Sequence, residues 1–122
     1  MKTLFFLSVV IFFLFGCGGG SKLQNHTYMY EVTGTGNLYN VEFENVDGNQ
    51  TSLDNVRSGW TYKWKESHSG QFPSRLITVR AQNMDPSGCT TTVKIYKDGK
   101  IIQSNTSSGV YVIARCEIFE ME

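Results

Sequence analysis

Three cysteines, two histidines and one row of aromatic residues are the side chains of this 122-residue chain that could do chemistry. A thiolate nucleophile needs a base within hydrogen-bond reach, and a metal centre needs several ligands at short spacing. His26 and His68 are the bases on offer, and neither has a Cys, His or carboxylate at metal-ligand spacing. His26 falls at the edge of the folded part and His68 in the polar stretch Glu66 to Ser74, so both read as surface residues. A hydrolase with His68 as base is the one enzyme reading they leave open. Asp47-Gly48-Asn49-Gln50-Thr51 has the look of a calcium loop but carries Ser58 where the last acidic ligand belongs, and it reads as a turn. Gly34-Thr35-Gly36 lacks a third Gly at Tyr39 and a following helix, so it is no phosphate loop. No catalytic residue, no metal site and no cofactor is expected.

The aromatic row is Trp60, Tyr62 and Trp64, alternating with Thr61, Lys63 and Lys65. Such alternation marks a strand with one wet face. If the rings face out, Trp64 and Tyr62 are candidate contacts for a carbohydrate ligand. If they face in, they belong to a core, as the lysines of the opposite phase suggest for Trp60 at least.

Cys17 ends a different kind of segment. Leu4 to Phe15 is an apolar run preceded by Lys2. A membrane-spanning helix needs roughly 20 apolar residues, so this run is short for a span. A charged start, a short apolar stretch and small residues at its end describe a secretory signal. Its end, Leu14-Phe15-Gly16-Cys17, resembles a bacterial lipobox, in which the chain is cut before the Cys and the sulfur takes a diacylglycerol. An ordinary signal peptide with an incidental Cys is the plain alternative. Lipidation at Cys17 would attach the chain firmly to a bilayer, since two or three acyl chains suffice for stable anchoring. Gly18-Gly19-Gly20-Ser21 then reads as a flexible tether. The expected organisation is a signal peptide over 1–16, a lipidated Cys and tether over 17–25, and one domain over 26–122.

With Cys17 lipidated, Cys89 and Cys116 make an even pair, and an oxidising compartment permits a disulfide between them. A bridge closing that loop of about 28 residues would be worth ~3–4 kcal/mol in the chain-entropy model. Two buried free thiols are the alternative. The chain carries 11 basic and 11 acidic residues. Loss of Lys2 with the leader would leave it near neutrality, so composition makes no electrostatic case for nucleic acid or an anionic bilayer.

After Lys22 the pattern is short alternating runs divided by Gly, Asn, Asp and Ser, with no sustained helical period. Strands are expected around Tyr28–Val32, Tyr39–Phe43, Trp60–Lys65, Ile77–Gln82, Cys89–Ile95, Ile101–Gln103 and Val110–Phe119, with a weak one near Leu53 and Val56. Ser104 to Gly109 reads as a loop, and Lys97-Asp98-Gly99-Lys100 as a hairpin turn. Seven to eight short strands without a crossover helix predict an all-β fold, a single antiparallel β-sandwich of immunoglobulin-like type, with a small barrel as the competing architecture.

Four blocks in this order, "YEVTGTG" from Tyr30, "AQN" from Ala81, "VKIYKDGK" from Val93 and "SSGVYVIARC" from Ser107, resemble the soluble domain of the mycobacterial membrane protein small (MmpS) family. The resemblance covers about residues 28 to 118. It implies an immunoglobulin-like sandwich outside the cytoplasm and, for the mycobacterial members, an accessory role beside large membrane transporters. Those members carry an N-terminal membrane helix where this chain has Cys17. The family has no catalytic residue to transfer. The expectation is a non-enzymatic, lipid-anchored envelope protein, on an outer membrane facing the periplasm or at the cell surface. It would bind another envelope protein through sheet edges and through the loops Glu66–Ser74 and Ser104–Gly109.

Overall fold

The computed structural model describes residues 24–68 and 75–120. The expected leader, Cys17 and residues 18–23 of the expected tether lie outside the described residues, as do 69–74 of the stretch after Glu66, whereas Gln24 and Asn25, expected in the tether, open the first strand. Eight strands follow one another: β1 (Gln24–Gly34), β2 (Tyr39–Glu44), β3 (Gln50–Val56), β4 (Trp60–His68), β5 (Arg75–Asn83), β6 (Cys89–Lys97), β7 (Lys100–Gly109) and β8 (Ile113–Glu120). They form two antiparallel four-stranded sheets, ordered β4-β1-β6-β7 and β3-β2-β5-β8. This is the expected all-β sandwich, and no helix occurs among the described residues.

The period-two pattern decides what is buried. Tyr28, Tyr30 and Val32 of β1, Val93 and Ile95 of β6, and Trp64 of β4 point from the first sheet into the core. Tyr39, Val41 and Phe43 of β2, Ile77, Val79 and Ala81 of β5, and Ala114 and Cys116 of β8 meet them from the second. Cross-strand neighbours stack: Tyr28 on Trp64 at 5.4 Å and Tyr30 on Tyr62 at 6.1 Å between ring centroids. Phe43 reaches across from the other sheet to within 5.1 Å of Trp60 and 4.7 Å of Tyr62. Each such ring pair adds about 0.5–1.5 kcal/mol beyond area burial. The polar ends are satisfied locally. Tyr30 donates to the Glu44 carbonyl at 2.8 Å, the Tyr62 hydroxyl accepts from Val46 N–H at 3.2 Å, and the Trp64 indole donates to Glu66 Oε1 at 3.0 Å.

Two expectations are corrected here. Ser104 to Gly109 is strand, paired with β6 from Cys89 to Lys94. Its polar side chains suit a loop by composition, yet they have structural work at the side of the sandwich. The Gln103 amide oxygen accepts from Glu117 N–H, Asn105 Nδ2 donates to the Arg115 carbonyl at 3.0 Å, and the Ser107 hydroxyl donates to the Ile113 carbonyl at 2.9 Å. Alternate residues of β7 thus hydrogen-bond to the open edge of β8, closing a seam between the sheets.

The second correction concerns the cysteines. Cys89 and Cys116 are free thiols. Cys116 is buried on β8 and donates its S–H across the core to the Val93 carbonyl at 3.3 Å. Cys89 lies four residues before Val93 on the same strand, about 13 Å away at ~3.3 Å per residue. A disulfide tolerates an α-carbon separation of at most ~7 Å. Both cysteines occupy the apolar phase, as the alternation implies, but at different heights in the sandwich.

Candidate functional site

Burial removes the sugar-stacking reading of the aromatic row. Trp64 is 6% exposed, and Tyr62 and Trp60 pack against the core. Their faces are occupied by one another and by Tyr28, Tyr30 and Phe43. Lys63 and Lys65, in the opposite phase, take the solvent side.

His26 has a partner that local spacing could not reveal. Its Nδ1 lies 2.7 Å from Asp98 Oδ2, and the carboxylate can only accept, so Nδ1 carries the proton. Asp98 is the first residue of the β6–β7 turn, at φ 52° beside Gly99 at φ 80°. Its other oxygen accepts from Thr27 N–H at 2.9 Å, and its own N–H donates to the Thr27 carbonyl at 2.7 Å. The pair pins the hairpin to β1. These bonds from Thr27 and His26 hold the Asp98 carboxyl below its ordinary value. His68 closes β4 and its side chain lies outside the described residues. Among the described residues no group of three or more His, Cys, Asp or Glu side chains could hold a metal ion.

A hollow of about 320 Å³ on the outer face of the second sheet is lined by Glu42, Gln50, Ser52, Thr78, Arg80 and Arg115. Its arginines are engaged already: Arg80 with Glu42 at 3.3 Å, and Arg115 with Glu117.

The best-built surface feature is the end of the sandwich opposite the start of β1. Three connections meet there: 35–38 between β1 and β2, 84–88 between β5 and β6, and 110–112 between β7 and β8. Val110 and Tyr111 are each 49% exposed, and Ile113 at the start of β8 and Leu38 in the 35–38 connection are exposed as well. Tyr111 sits at φ 57°, a left-handed conformation uncommon for a bulky residue. The strand ends hold it there. Gln82 Nε2 donates to the Tyr111 carbonyl at 2.9 Å, and Asn83 N–H donates to the Val112 carbonyl at 3.2 Å.

Asn83 is the fixing point of this tip and is fully buried. Its Oδ1 accepts from Asp85 N–H at 2.9 Å, and its Nδ2 donates to the Asp85 and Gly109 carbonyls at 3.3 and 3.2 Å. Asp85 in turn accepts from the Ser87 hydroxyl at 2.6 Å and the Ser87 N–H at 2.9 Å, which lowers its carboxyl below the ordinary value. The Met84 N–H donates to the Leu38 carbonyl at 3.0 Å. Gly34 lets the chain approach closely: a Cβ there would meet the Thr90 carbonyl at 2.1 Å and the Tyr39 hydroxyl at 2.3 Å. That hydroxyl accepts from Gly36 N–H at 2.7 Å, and its burial raises its pKa. A rigid turn presenting an exposed Tyr and aliphatic neighbours has the make-up of a protein-contact site, since Tyr carries large contact area at small entropic cost.

Sequence reading missed this tip because Val110 to Val112 looks like the start of a strand. The available signal was Gly109, whose φ of 136° is needed where the chain leaves β7. The expected contact loop Ser104–Gly109 is the strand leading into it. The described part of Glu66–Ser74 is the end of β4, and 69–74 lie outside the described residues.

The described residues define an all-β protein of two packed antiparallel sheets with an exposed apolar tip. The chain is 26% identical over 87 residues to the probable transport accessory protein MmpS5 of Mycobacterium bovis, and equally to the siderophore export accessory protein MmpS5 of Mycobacterium tuberculosis. The match covers 71% of this chain and 56% of each relative, so the chain spans little more than half the length of the curated relatives it matches. The resemblance to MmpS proteins stands at that level of identity. No family profile matches the chain.

Proposed function

We propose that this protein is a non-enzymatic, lipid-anchored accessory protein of the bacterial cell envelope that docks on an extracytoplasmic part of a membrane transporter. The observation that carries the reading is the rigid apolar tip at Val110 and Tyr111, far from the anchored end. β1 runs the full height of the first sheet in 11 residues, about 36 Å at ~3.3 Å per residue. Cys17 precedes Gln24 by seven residues, a reach of at most ~25 Å. The tip therefore stands one sandwich height above the tethered end, where a large extracytoplasmic domain would meet it and a membrane-embedded surface would not. The accessory role named for the MmpS5 relatives supports a transporter as the partner class.

Co-purification tests this. The full chain, extracted from its own membranes, is expected to bring down a polytopic transport protein. Tyr111→Asp, at an exposed position, is expected to lower the yield at least tenfold with an unchanged melting temperature. Retention of the complex by Tyr111→Asp and by Val110→Asp would place the contact elsewhere.

A further inference from the structure

Among the described residues, β4 has the one outer edge that is neither interrupted nor covered. The edge of β8 is capped by the side chains of β7, which lies against it. The pairing of β3 is interrupted by a register shift between Tyr39 and Val41 of its partner, and Asn55 near its end sits at φ 59°. Such irregularities spoil an edge for further pairing. β4 runs in unbroken register along β1 from Trp60 to His68.

The direction of its backbone groups follows from β1. The Val32 carbonyl accepts from Gly59 N–H at 2.8 Å, and Gly34 N–H donates to the Ser58 hydroxyl at 3.0 Å, so the even-numbered residues of β1 turn toward β4. Thr35 N–H and the Thr27 carbonyl bond on the other side, to Thr90 and Asp98. Tyr28 and Tyr30 therefore exchange bonds with their partners Trp64 and Tyr62. By antiparallel alternation, the N–H and C=O groups of Thr61, Lys63 and Lys65 aim away from the sheet. All three residues are exposed. On the outer face Lys63 and Lys65 stand opposite Met29 and Thr27, so no carboxylate of β1 directly faces them.

The inner face beyond β4 is unfinished as well. The rings of Trp60 and Tyr62 meet the second sheet at Phe43 of β2. One strand further out, Leu53 of β3 pairs with the buried Val41 and shares its inward face, yet it is 37% exposed. Val46, whose N–H meets the Tyr62 hydroxyl, is 43% exposed. The first sheet is thus one strand short of covering β3.

We propose that the open edge of β4 takes up an extended segment of a partner protein, one that alternates acidic with apolar residues and pairs as an added strand of the four-stranded first sheet. Pairing satisfies the outward backbone groups of Thr61, Lys63 and Lys65, which is how strand addition gains affinity. Acidic side chains opposite Lys63 and Lys65 each add about two- to fivefold. Apolar side chains between them point inward, toward Leu53 and Val46. The same lysines argue against a second copy of this chain as the occupant. Antiparallel β4 on β4 would set Lys63 against Lys63 or Lys65, and like charges directly opposite destabilise a sheet. The edge lies on the side of the sandwich away from the β7–β8 seam. It needs neither the lipid anchor nor the 110–112 turn, so the inference goes beyond the reading above and stands apart from it.

The full chain, isotope-labelled and extracted in detergent, is titrated with a short capped peptide alternating Glu with Val, and with one alternating Lys with Val. Amide exchange is read residue by residue. Without peptide, the amides of Thr61, Lys63 and Lys65 are expected to exchange freely while those of Tyr62 and Trp64 are protected. The Glu peptide is expected to slow exchange at Thr61, Lys63 and Lys65, and to bind about tenfold more tightly than the Lys peptide. Lys63→Glu with Lys65→Glu should invert that preference. Thr61→Pro keeps both lysines and removes one outward donor, a change that an edge strand tolerates. It should weaken the Glu peptide about tenfold with little change in melting temperature. Exchange that stays fast with both peptides, or equal binding of the two, would overturn the inference. Slow exchange at Thr61, Lys63 and Lys65 that appears on raising the protein concentration alone would make a second copy the occupant and overturn it likewise.

Discussion

The side-chain amide of Asn83 donates to the Gly109 carbonyl at 3.2 Å, joining the end of β5 to the turn that presents Tyr111. Through the same side chain the β5–β6 turn is held at Asp85. Two connections of the distal end are therefore tied through one side chain, and the left-handed backbone at Tyr111 is held by bonds from Gln82 and Asn83.

Asn83→Ala removes the partner of one N–H and two carbonyls in a buried setting. The expected cost is roughly 3 kcal/mol, about 1 kcal/mol for each bond lost. Denaturant unfolding measures it, and amide exchange should rise first at Asp85 and in the 109–112 turn. Uniform exchange across the whole domain would mean that Asn83 supports the core rather than the tip.

The two cysteines should behave differently. Burial pushes the Cys116 thiol up to about 11, while Cys89 is partly exposed at the start of β6. Alkylation of the native protein followed by peptide mass analysis should modify Cys89 and spare Cys116 until the chain unfolds. The raised value also sets a pH dependence. Between about 9 and about 11 the unfolded thiol loses its proton and the folded one keeps it, so stability falls as pH rises through that window. Cys116→Ala should flatten the slope there, although it costs packing at every pH.

Asp85 and Asp98 act at the other extreme. Both carboxyls are held below the ordinary 3.8 by hydrogen bonds, chiefly from Ser87 and from Thr27 and His26 respectively. The native state binds fewer protons than the unfolded one, so their stabilisation is complete above about pH 4 and is lost as pH falls toward the lowered values. Urea midpoints near neutrality and at about pH 3 should differ less in Asp98→Asn than in the parent chain.

The seam of β7 on β8 is a protection as well as a joint. Gln103, Asn105 and Ser107 occupy the backbone groups of an edge strand that would otherwise pair with another chain. Replacing all three by Ala should cost about 3 kcal/mol, near 1 kcal/mol per bond. It should also produce concentration-dependent association in sedimentation. Monomeric behaviour at every concentration would show the edge to be harmless when open.

Alternation made most of the strands legible, because Tyr28/Tyr30/Val32 or Ile77/Val79/Ala81 has one side that water rejects. It also placed both late cysteines on the apolar phase. What it could not give was height within the sandwich, which depends on register between distant strands and separates Cys89 from Cys116. The polar run of β7 was misread because its side chains hydrogen-bond to the main chain of β8, a partnership invisible in local composition. The distal tip depends on Asn83, Asp85 and Gly109, which are individually ordinary turn residues. Only the fold brings them together.

Photo-crosslinking in native membranes tests the central claim most directly. A benzoylphenylalanine at position 111 is expected to give one discrete adduct with a transport protein, while the same probe at Thr106, on the outer face of β7, gives none. Equal labelling from both positions, or none from 111 while the protein is abundant in the membranes, would contradict a contact role for the tip.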